Sequence, residues 1–316
     1  MEIGPSNKGA GRVPRVAIVG SCQVAGLVEA IRRLAPAAKC KVWHVGMYPP
    51  DSPDEILAQL PEYDIVISQV PDREGGGVLE HSNLTQMLPG VIFVPVVVFR
   101  GFHPDCVYLF GRRSGGLIKG YAGDWHSAII SASYVLGVAA PRVLSLFNSL
   151  VFSALGYFDS YAVAKASLLE RFSLAGFDLS SHFDRWLHEE GAFMYLPNHP
   201  KISVLAQLGK MAAERAGLIE TEVQPPSGLR DHLADSVQWP IYPDLARRIG
   251  VPGSTIFIRP MQGLEPGQER PLSLAQMVEL GYRHYAQLPE EELRDAVPDD
   301  ILDRLDRLLS GRPVPA

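Results

Sequence analysis

The chain is short of cysteine, with Cys22, Cys40 and Cys106 as the only three in 316 residues. Three thiols cannot build a disulfide framework. No C-x-x-C occurs, and no His/Cys pair has zinc-site spacing, so disulfide-stapled and zinc-ribbon classes drop out. Basic charge is also scarce. Lys and Arg number 29 against 35 Asp and Glu, a formal net charge of −6, whereas a general nucleic-acid binder carries a basic surplus. Long apolar runs are missing too. Leu88–Phe99 is too short to cross a bilayer, and Ser127–Phe158 is broken by Pro141, Arg142 and Asn148, leaving less than the ~20 continuous apolar residues of a spanning helix. Residues 1–14 lack the apolar segment of a secretory leader. The expectation is a soluble cytoplasmic protein with reduced thiols, no metal, no nucleic-acid partner and no stable membrane insertion.

What is present is core material: 47% hydrophobic residues and 20% charged, a balance that excludes disorder and suffices for one large or two modest domains. Arg15–Gly20 is a short apolar run ending in Gly, a buried strand. Val24, Leu27, Val28, Ile31 and Leu34 recur at helical spacing until Pro36. Cys40–Val45 reads as a second strand. Ser52, Pro53 and Glu55 form a helix start with a capping box. Tyr63–Gln69 is a third strand, Val78–Leu88 a helix, and Val91–Phe99 a fourth strand that Pro95 confines to an edge or bulge. Alternation of strand and helix predicts an α/β fold with a parallel sheet covered on both faces. Ser127–Gly191 reads as helical, with Ser181 and Asp184 capping its last helix, and Ala192–Leu196 as a fifth strand. The predicted organisation is a flexible tail over 1–14 and a parallel α/β core over 15–126. A helical region with a return strand covers 127–217, and a mixed α-rich C-terminal region packed on the core covers 218–316.

Ligands of open parallel sheets sit beyond the carboxyl ends of the strands, so the turn Gly20-Ser21-Cys22-Gln23 is the first place to look for chemistry. Cys22 stands between a buried strand and a helix, where backbone N–H groups and the helix dipole lower a thiol pKa. A thiolate there attacks a carbonyl or thioester, and nearby donors hold the oxyanion. The competing reading is a small residue packing a tight turn. Gly20 and Gly26 give neither a dinucleotide fingerprint nor a P-loop. Gln69, ending strand 3, offers an amide to the same sheet end, or is a polar strand terminus.

Three histidine loops are candidate bases: Phe102-His103-Pro104-Asp105, Asp124-Trp125-His126-Ser127 and Pro197-Asn198-His199-Pro200. A base must lie within ~3 Å of the proton it takes, which spacing along the chain does not settle. Asp124 and Asp105 are the acids available to orient an imidazole. Arg100, Arg112, Arg113 and Lys119 cluster among glycines in an otherwise acidic chain, and arginine forks suit phosphates. The alternative is a solvated loop.

Taken together and in order, Gly20-Ser21-Cys22-Gln23, Phe102-His103-Pro104-Asp105, Trp125-His126-Ser127 and Asn198-His199-Pro200 resemble the WcbI family of polysaccharide (capsule) biosynthesis proteins over about residues 15 to 285. The resemblance implies coenzyme A binding, with acetyl-CoA as donor, and O-acetyl transfer to a capsule sugar. A more distant similarity is to SGNH/GDSL hydrolases and acyltransferases, whose nucleophile also follows strand 1. It implies a Rossmann/SGNH-like sheet, and the large helical insert read here departs from the compact hydrolase pattern. Cys22 replaces their serine and His199-Pro200 matches the end of their Asp-x-x-His-Pro loop, but Leu196 stands where the Asp belongs. Asp124 or Asp105 must then substitute, or Asn198 orients the ring.

The resulting assignment has Cys22 as nucleophile, His199 as base with His126 second, and Asp124 as acid. Ser21, Gln23, Gln69, His103 and Asp105 lie around the oxyanion and substrate. Arg100, Arg112, Arg113 and Lys119 hold coenzyme A phosphates. The alternatives are an esterase or deacetylase using the same cysteine, or a non-enzymatic partner of other polysaccharide-assembly proteins.

Overall fold

The computed structural model describes residues 12–45, 52–72, 77–111, 115–265 and 267–314. Most of the expected tail, residues 1–11, lies outside them, as do Arg112 and Arg113. The chain forms two compact units, one of residues 1–96 with 202–230, the other of residues 97–201 with 231–316.

The first unit holds the sheet. Strands β1 (Arg15–Gly20), β2 (Lys39–His44), β3 (Ile65–Ser68) and β4 (Ile92–Phe93) pair in the order β2-β1-β3-β4, all parallel. Val16 to Val19 are wholly buried, as a strand covered on both faces requires. The outer strand β2 turns Lys39 and Lys41 to solvent, and such charges blunt an open sheet edge. Val19, Trp43, Val66 and Ala17 pack on one side with Ile56 and Leu60, from helix α2 (Pro53–Gln59) and the short turn after it. Ser52 caps α2 with the expected box, accepting from Glu55 N at 3.2 Å while its own N–H reaches Glu55 Oε2 at 2.9 Å. Helix α3 (His81–Met87) precedes β4. The fourth strand is shorter than expected: only Ile92 and Phe93 stay in register with β3, because Pro95 has no N–H to continue the ladder.

Helix α1 (Val24–Leu34) and helix α9 (Ile202–Arg215) pack together in this unit. Two glycines permit the approach. A Cβ on Gly209 would lie 2.6 Å from Ala30 Cβ and 3.0 Å from the Leu27 carbonyl oxygen, and one on Gly26 would lie 2.6 Å from Leu205 Cδ1.

The second unit is mainly helical. Strands β5 (Cys106–Val107) and β6 (His126–Ser127) form a short antiparallel pair leading into α4 (Ala128–Val135), seven of whose eight residues are buried. A helix apolar on every side belongs inside. It packs against α11 (Leu274–Tyr285), α12 (Glu290–Ala296) and α13 (Asp299–Leu309). Between lie α5 (Ala140–Val143), α6 (Ser149–Ala154), α7 (Ser160–Leu174) and α8 (Ser180–Glu190). Ser181 and Asp184 do not cap α8. The helix begins at Ser180 after Leu179, and Asp178 accepts from Ser180 N at 2.9 Å. The expected fifth strand joins no large sheet. It is β7 (Met194–Leu196), folded antiparallel onto β8 (His199–Pro200). Helix α10 (Pro243–Ile249) and the hairpin β9 (Ile256–Ile258) and β10 (Pro271–Ser273) complete the unit. Edge-to-face packing of Phe99 on Phe102 and of Phe102 on Phe193, both at 4.9 Å, fills the space behind the β7–β8 turn. The architecture is α/β with a parallel sheet and a large helical region. No helix among the described residues is long and apolar enough to cross a membrane.

Candidate functional site

In the first unit the chain leaves β1 at Gly20 and enters α1 at Val24, with Ser21 and Cys22 in the turn. The Cys22 sulfur accepts from the Ser21 hydroxyl and from the backbone N–H groups of Cys22 and Gln23. These donors favour a thiolate, yet burial outweighs them and the thiol pKa is raised, not lowered. This corrects the expected activation by the helix terminus: the half-buried sulfur loses more by leaving water than three donors return. At neutral pH Cys22 is a thiol, so its use as a nucleophile calls for a base.

Gln69 is fixed beside this turn. Its backbone N–H donates to Val19 O at 2.8 Å, and a Cβ on Gly20 would stand 3.0 Å from Gln69 Cβ and 3.3 Å from Oε1. The side chain is buried, with neither Nε2 nor Oε1 hydrogen-bonded among the described residues. Buried amides are normally satisfied, so this amide, without a partner among the described residues, is an exception at the carboxyl end of the sheet. Gln23 is fully buried at the α1 N-cap. His44, missed because it lies inside a strand, pairs in register with Gly20. It is the imidazole that the sheet itself brings to the Cys22 end.

In the second unit the three histidine loops have different fates. His126 uses both ring nitrogens: Nε2 donates to the Ile118 carbonyl at 2.9 Å, so Nδ1 accepts from the Tyr285 hydroxyl at 2.9 Å. Burial pushes its pKa to about 4. The ring ties α11 to the preceding loop and keeps no nitrogen for proton transfer, which corrects its place as second base. His103 is buried, hydrogen-bonded with the Trp239 backbone and held neutral with a pKa of about 3 by burial. Its Nδ1 has no hydrogen-bond partner among the described residues.

Asp105 orients no imidazole. Its carboxylate accepts from Ile129 N at 2.9 Å, Tyr157 Oη at 3.2 Å and Tyr242 Oη at 2.8 Å, and from the Ser127 hydroxyl. It anchors the start of α4, and burial raises its pKa to about 6 against those four donors.

His199 is half-buried in the β7–β8 turn. Pro197 O accepts from Phe99 N at 2.7 Å, and Asn198 Nδ2 donates to Tyr108 Oη at 3.3 Å. Tyr108 in turn stacks on Trp125 at 3.7 Å. The stiff loop expected from its prolines is therefore pinned on both sides. His199 Nδ1 is buried and has no hydrogen-bond partner among the described residues. Burial lowers the ring pKa to about 4, opposed by the negative charges of Asp124 and Asp231. Asp124 acts on it only through space, because its carboxylate is ion-paired with Lys119. That pairing also withdraws Lys119 from the expected phosphate set. Asp231 left no signal in the sequence, since it stands in a polar loop. Arg100 lines a groove along α7 together with Arg171. The regular spacing of polar and small residues on α7 would have marked that face in advance. Among the described residues no group of three or more His, Cys, Asp or Glu side chains could hold a metal ion.

A family model described as polysaccharide biosynthesis enzyme WcbI matches residues 15–221. No curated relative matches the chain. A solved structure is similar over 95% of this chain and 98% of its own, with a TM-score of 0.66 and 14% sequence identity. It is described as WcbI, a novel polysaccharide biosynthesis enzyme, in a native form without a disulfide bond between coenzyme A and one of its cysteines.

Proposed function

We propose, from the premise that this chain belongs to the WcbI family of polysaccharide biosynthesis enzymes, that it transfers an acetyl group from coenzyme A to a hydroxyl of a sugar or glycan. The observation that carries the reading is the Cys22 turn. A sulfur ringed by donors stands at the end of a parallel sheet, and a buried amide at that same end has no partner among the described residues. Those groups fit a thioester: the sulfur has the right chemistry for acyl exchange, and the amide suits a developing oxyanion. The solved WcbI is described by reference to a bond between coenzyme A and a cysteine, which supports the same donor here.

Acetyl-CoA, when bound, supplies the acetyl group as an activated thioester. Cys22 Sγ forms a thioester with that group as the bond from the acetyl carbon to the coenzyme A sulfur breaks, and the Cys22 proton passes to the departing thiolate, which leaves as free coenzyme A. The Gln69 amide holds the carbonyl oxygen as it gains charge, and the Ser21 hydroxyl and the Gln23 N–H keep the sulfur oriented. The sugar hydroxyl then displaces Sγ, and the thiol regains a proton. His199 receives the hydroxyl proton. Its low pKa keeps the ring unprotonated at neutral pH, and Asp124 and Asp231 stabilise the imidazolium once formed. Arg112 and Arg113 would hold the phosphates.

The test is acetyl transfer from acetyl-CoA to a panel of sugars, with Cys22→Ser, His199→Gln, Gln69→Leu and His44→Gln variants. Cys22→Ser and His199→Gln should each lose 10²- to 10⁴-fold, and together little more than either alone, as residues acting as a unit do. Full rates in both single variants would remove the mechanism. A large loss in His44→Gln with none in His199→Gln would move the base to β2. Micromolar coenzyme A should raise the melting temperature of the wild type.

A further inference from the structure

Just past β5 the second unit carries aromatic surface that the acetyl-transfer steps do not use. Backbone pairing keeps this segment extended: Ile118 N donates to the Leu109 carbonyl at 2.9 Å, and Phe110 bridges antiparallel to Leu117. Successive side chains of an extended segment point to opposite faces. Leu109 is wholly buried, whereas Phe110 is 56% exposed and Tyr108 half-buried. Tyr108 and Phe110 therefore share the outer face, with ring centroids 6.1 Å apart. The Tyr108 ring stacks on Trp125 at 3.7 Å, and Trp125 is buried, so the ledge has a fixed base. A single exposed Phe is ordinary, but one that continues a packed row of aromatic rings makes a patch.

Polar groups border the ledge on its His199 side. Asn198 Nδ2 donates to the Tyr108 hydroxyl at 3.3 Å, so the ledge is tied to the residue next to His199. Asp124 precedes Trp125 in the chain, and its charge is felt by the His199 ring. Both members of the Lys119–Asp124 ion pair are open to solvent. The pair presents an ammonium donor and a carboxylate acceptor side by side with no net charge. Hydroxyls both donate and accept, so such a pair suits them better than it suits a charged group. An apolar ring face next to mixed donors and acceptors fits a ligand with one apolar face and a rim of hydroxyls. A pyranose is such a ligand, because its ring C–H bonds meet the negative face of an aromatic ring.

We propose that Tyr108 and Phe110 form the acceptor subsite, on which a neutral pyranose ring stacks. The proposal rests on the reading above, in which a sugar or glycan receives the acetyl group. The Phe110 ring covers the C–H face of the sugar, and Lys119 and Asp124 hydrogen-bond to hydroxyls at its edge. The tie between Tyr108 and Asn198 holds the stacked ring beside the His199 turn, so another hydroxyl of the same sugar faces the base. Phe110 then sets acceptor affinity and takes no part in the chemical step.

The test uses saturation-transfer NMR on the full chain with the methyl pyranosides of glucose, galactose and mannose, and no acetyl donor. Irradiating the protein's aromatic protons should saturate the ring C–H protons of at least one pyranoside. Phe110→Ala alters an exposed side chain, keeps the fold, and should abolish that transfer, while Phe110→Trp should keep it. In acetyl-transfer assays Phe110→Ala should raise the KM for the sugar about tenfold and leave kcat and the KM for acetyl-CoA unchanged. Adenosine 3′,5′-bisphosphate should bind wild type and Phe110→Ala equally. Pyranosides that bind through Phe110 but accept no acetyl group would sink the transfer reading and leave the sugar subsite in place. Acetyl transfer with an unchanged sugar KM in Phe110→Ala would do the opposite and overturn the subsite. Weaker nucleotide binding in Phe110→Ala would also overturn it, by giving the ledge to the donor.

Discussion

The Tyr242 hydroxyl donates to Asp105 Oδ2 at 2.8 Å across 137 positions of sequence. Both residues are buried, and the same carboxylate receives Tyr157, Ser127 and the Ile129 amide. One side chain thus ties β5, the start of α4 and the segment before α10. Tyr242→Phe keeps the ring packing on Phe152 and removes one donor from a buried acceptor. The expected cost is about 1–3 kcal/mol, read as a lower urea midpoint. A midpoint unchanged from wild type would show that the carboxylate does not need this hydroxyl.

Acid should destabilise the second unit between about pH 6.5 and 4. His103, His126 and His199 have folded pKa values of about 3, 4 and 4, all below the ordinary ~6.5 of the unfolded chain. Each therefore favours folding above pH 6.5 and loses that contribution as the unfolded imidazole protonates. Asp105, raised to about 6, works the other way, because its contribution is present below about 4 and lost as pH rises through 6. Three imidazoles outweigh one carboxyl, so stability should fall on acidification. Urea unfolding at pH 7 and pH 5 gives the comparison, and greater stability at pH 5 would contradict the burial of these rings.

Alkylation of Cys22 by iodoacetamide, followed by peptide mass spectrometry, should rise with pH to a midpoint above the ordinary ~8.5. Burial sets the direction, and Ser21→Ala should move the midpoint higher by removing a donor to the sulfur. A midpoint below 8 would mean that the three donors, not desolvation, dominate at this turn.

The two glycines between α1 and α9 should respond unequally to alanine. At Gly209 the new methyl meets Ala30 Cβ and the Leu27 main-chain carbonyl, neither of which can rotate away. Overpacking of this kind costs about 1–3 kcal/mol and exceeds the ~1 kcal/mol that alanine gains in helix propensity. At Gly26 the nearest atom is the tip of Leu205, which can change rotamer. Gly209→Ala should therefore have a lower urea midpoint than Gly26→Ala. The reverse order would show that the helices shift as rigid bodies to make room.

Local pattern carried much of the fold. Ser52, Pro53 and Glu55 announced α2 and its cap because those interactions span three residues. The burial of Val16 to Val19 followed from an unbroken apolar run. Pro95 foretold the edge position of β4, though not its shortness. The strand–helix turn was equally plain, and so was its cysteine. The sign of the Cys22 pKa shift was hidden, because desolvation is a tertiary quantity while the donors lie in adjacent residues. His126 and Asp105 look like catalytic groups in sequence. Their partners Tyr285, Tyr157 and Tyr242 arrive from 159, 52 and 137 residues away, and nothing local marks those hydroxyls as theirs. Asp124 and Lys119, five residues apart, satisfy each other in place of the imidazole and phosphates expected of them.

The packing of α9 on α1 sets a timetable for biosynthesis. A ribosome adding roughly 5–20 residues per second completes α1 and then makes about 170 more residues before α9 begins. For roughly 10 to 30 seconds the nascent chain displays a helix whose covering element has not been translated. That interval is where a holding chaperone would engage, and where slow codons upstream of Ile202 would lengthen the exposure to aggregation.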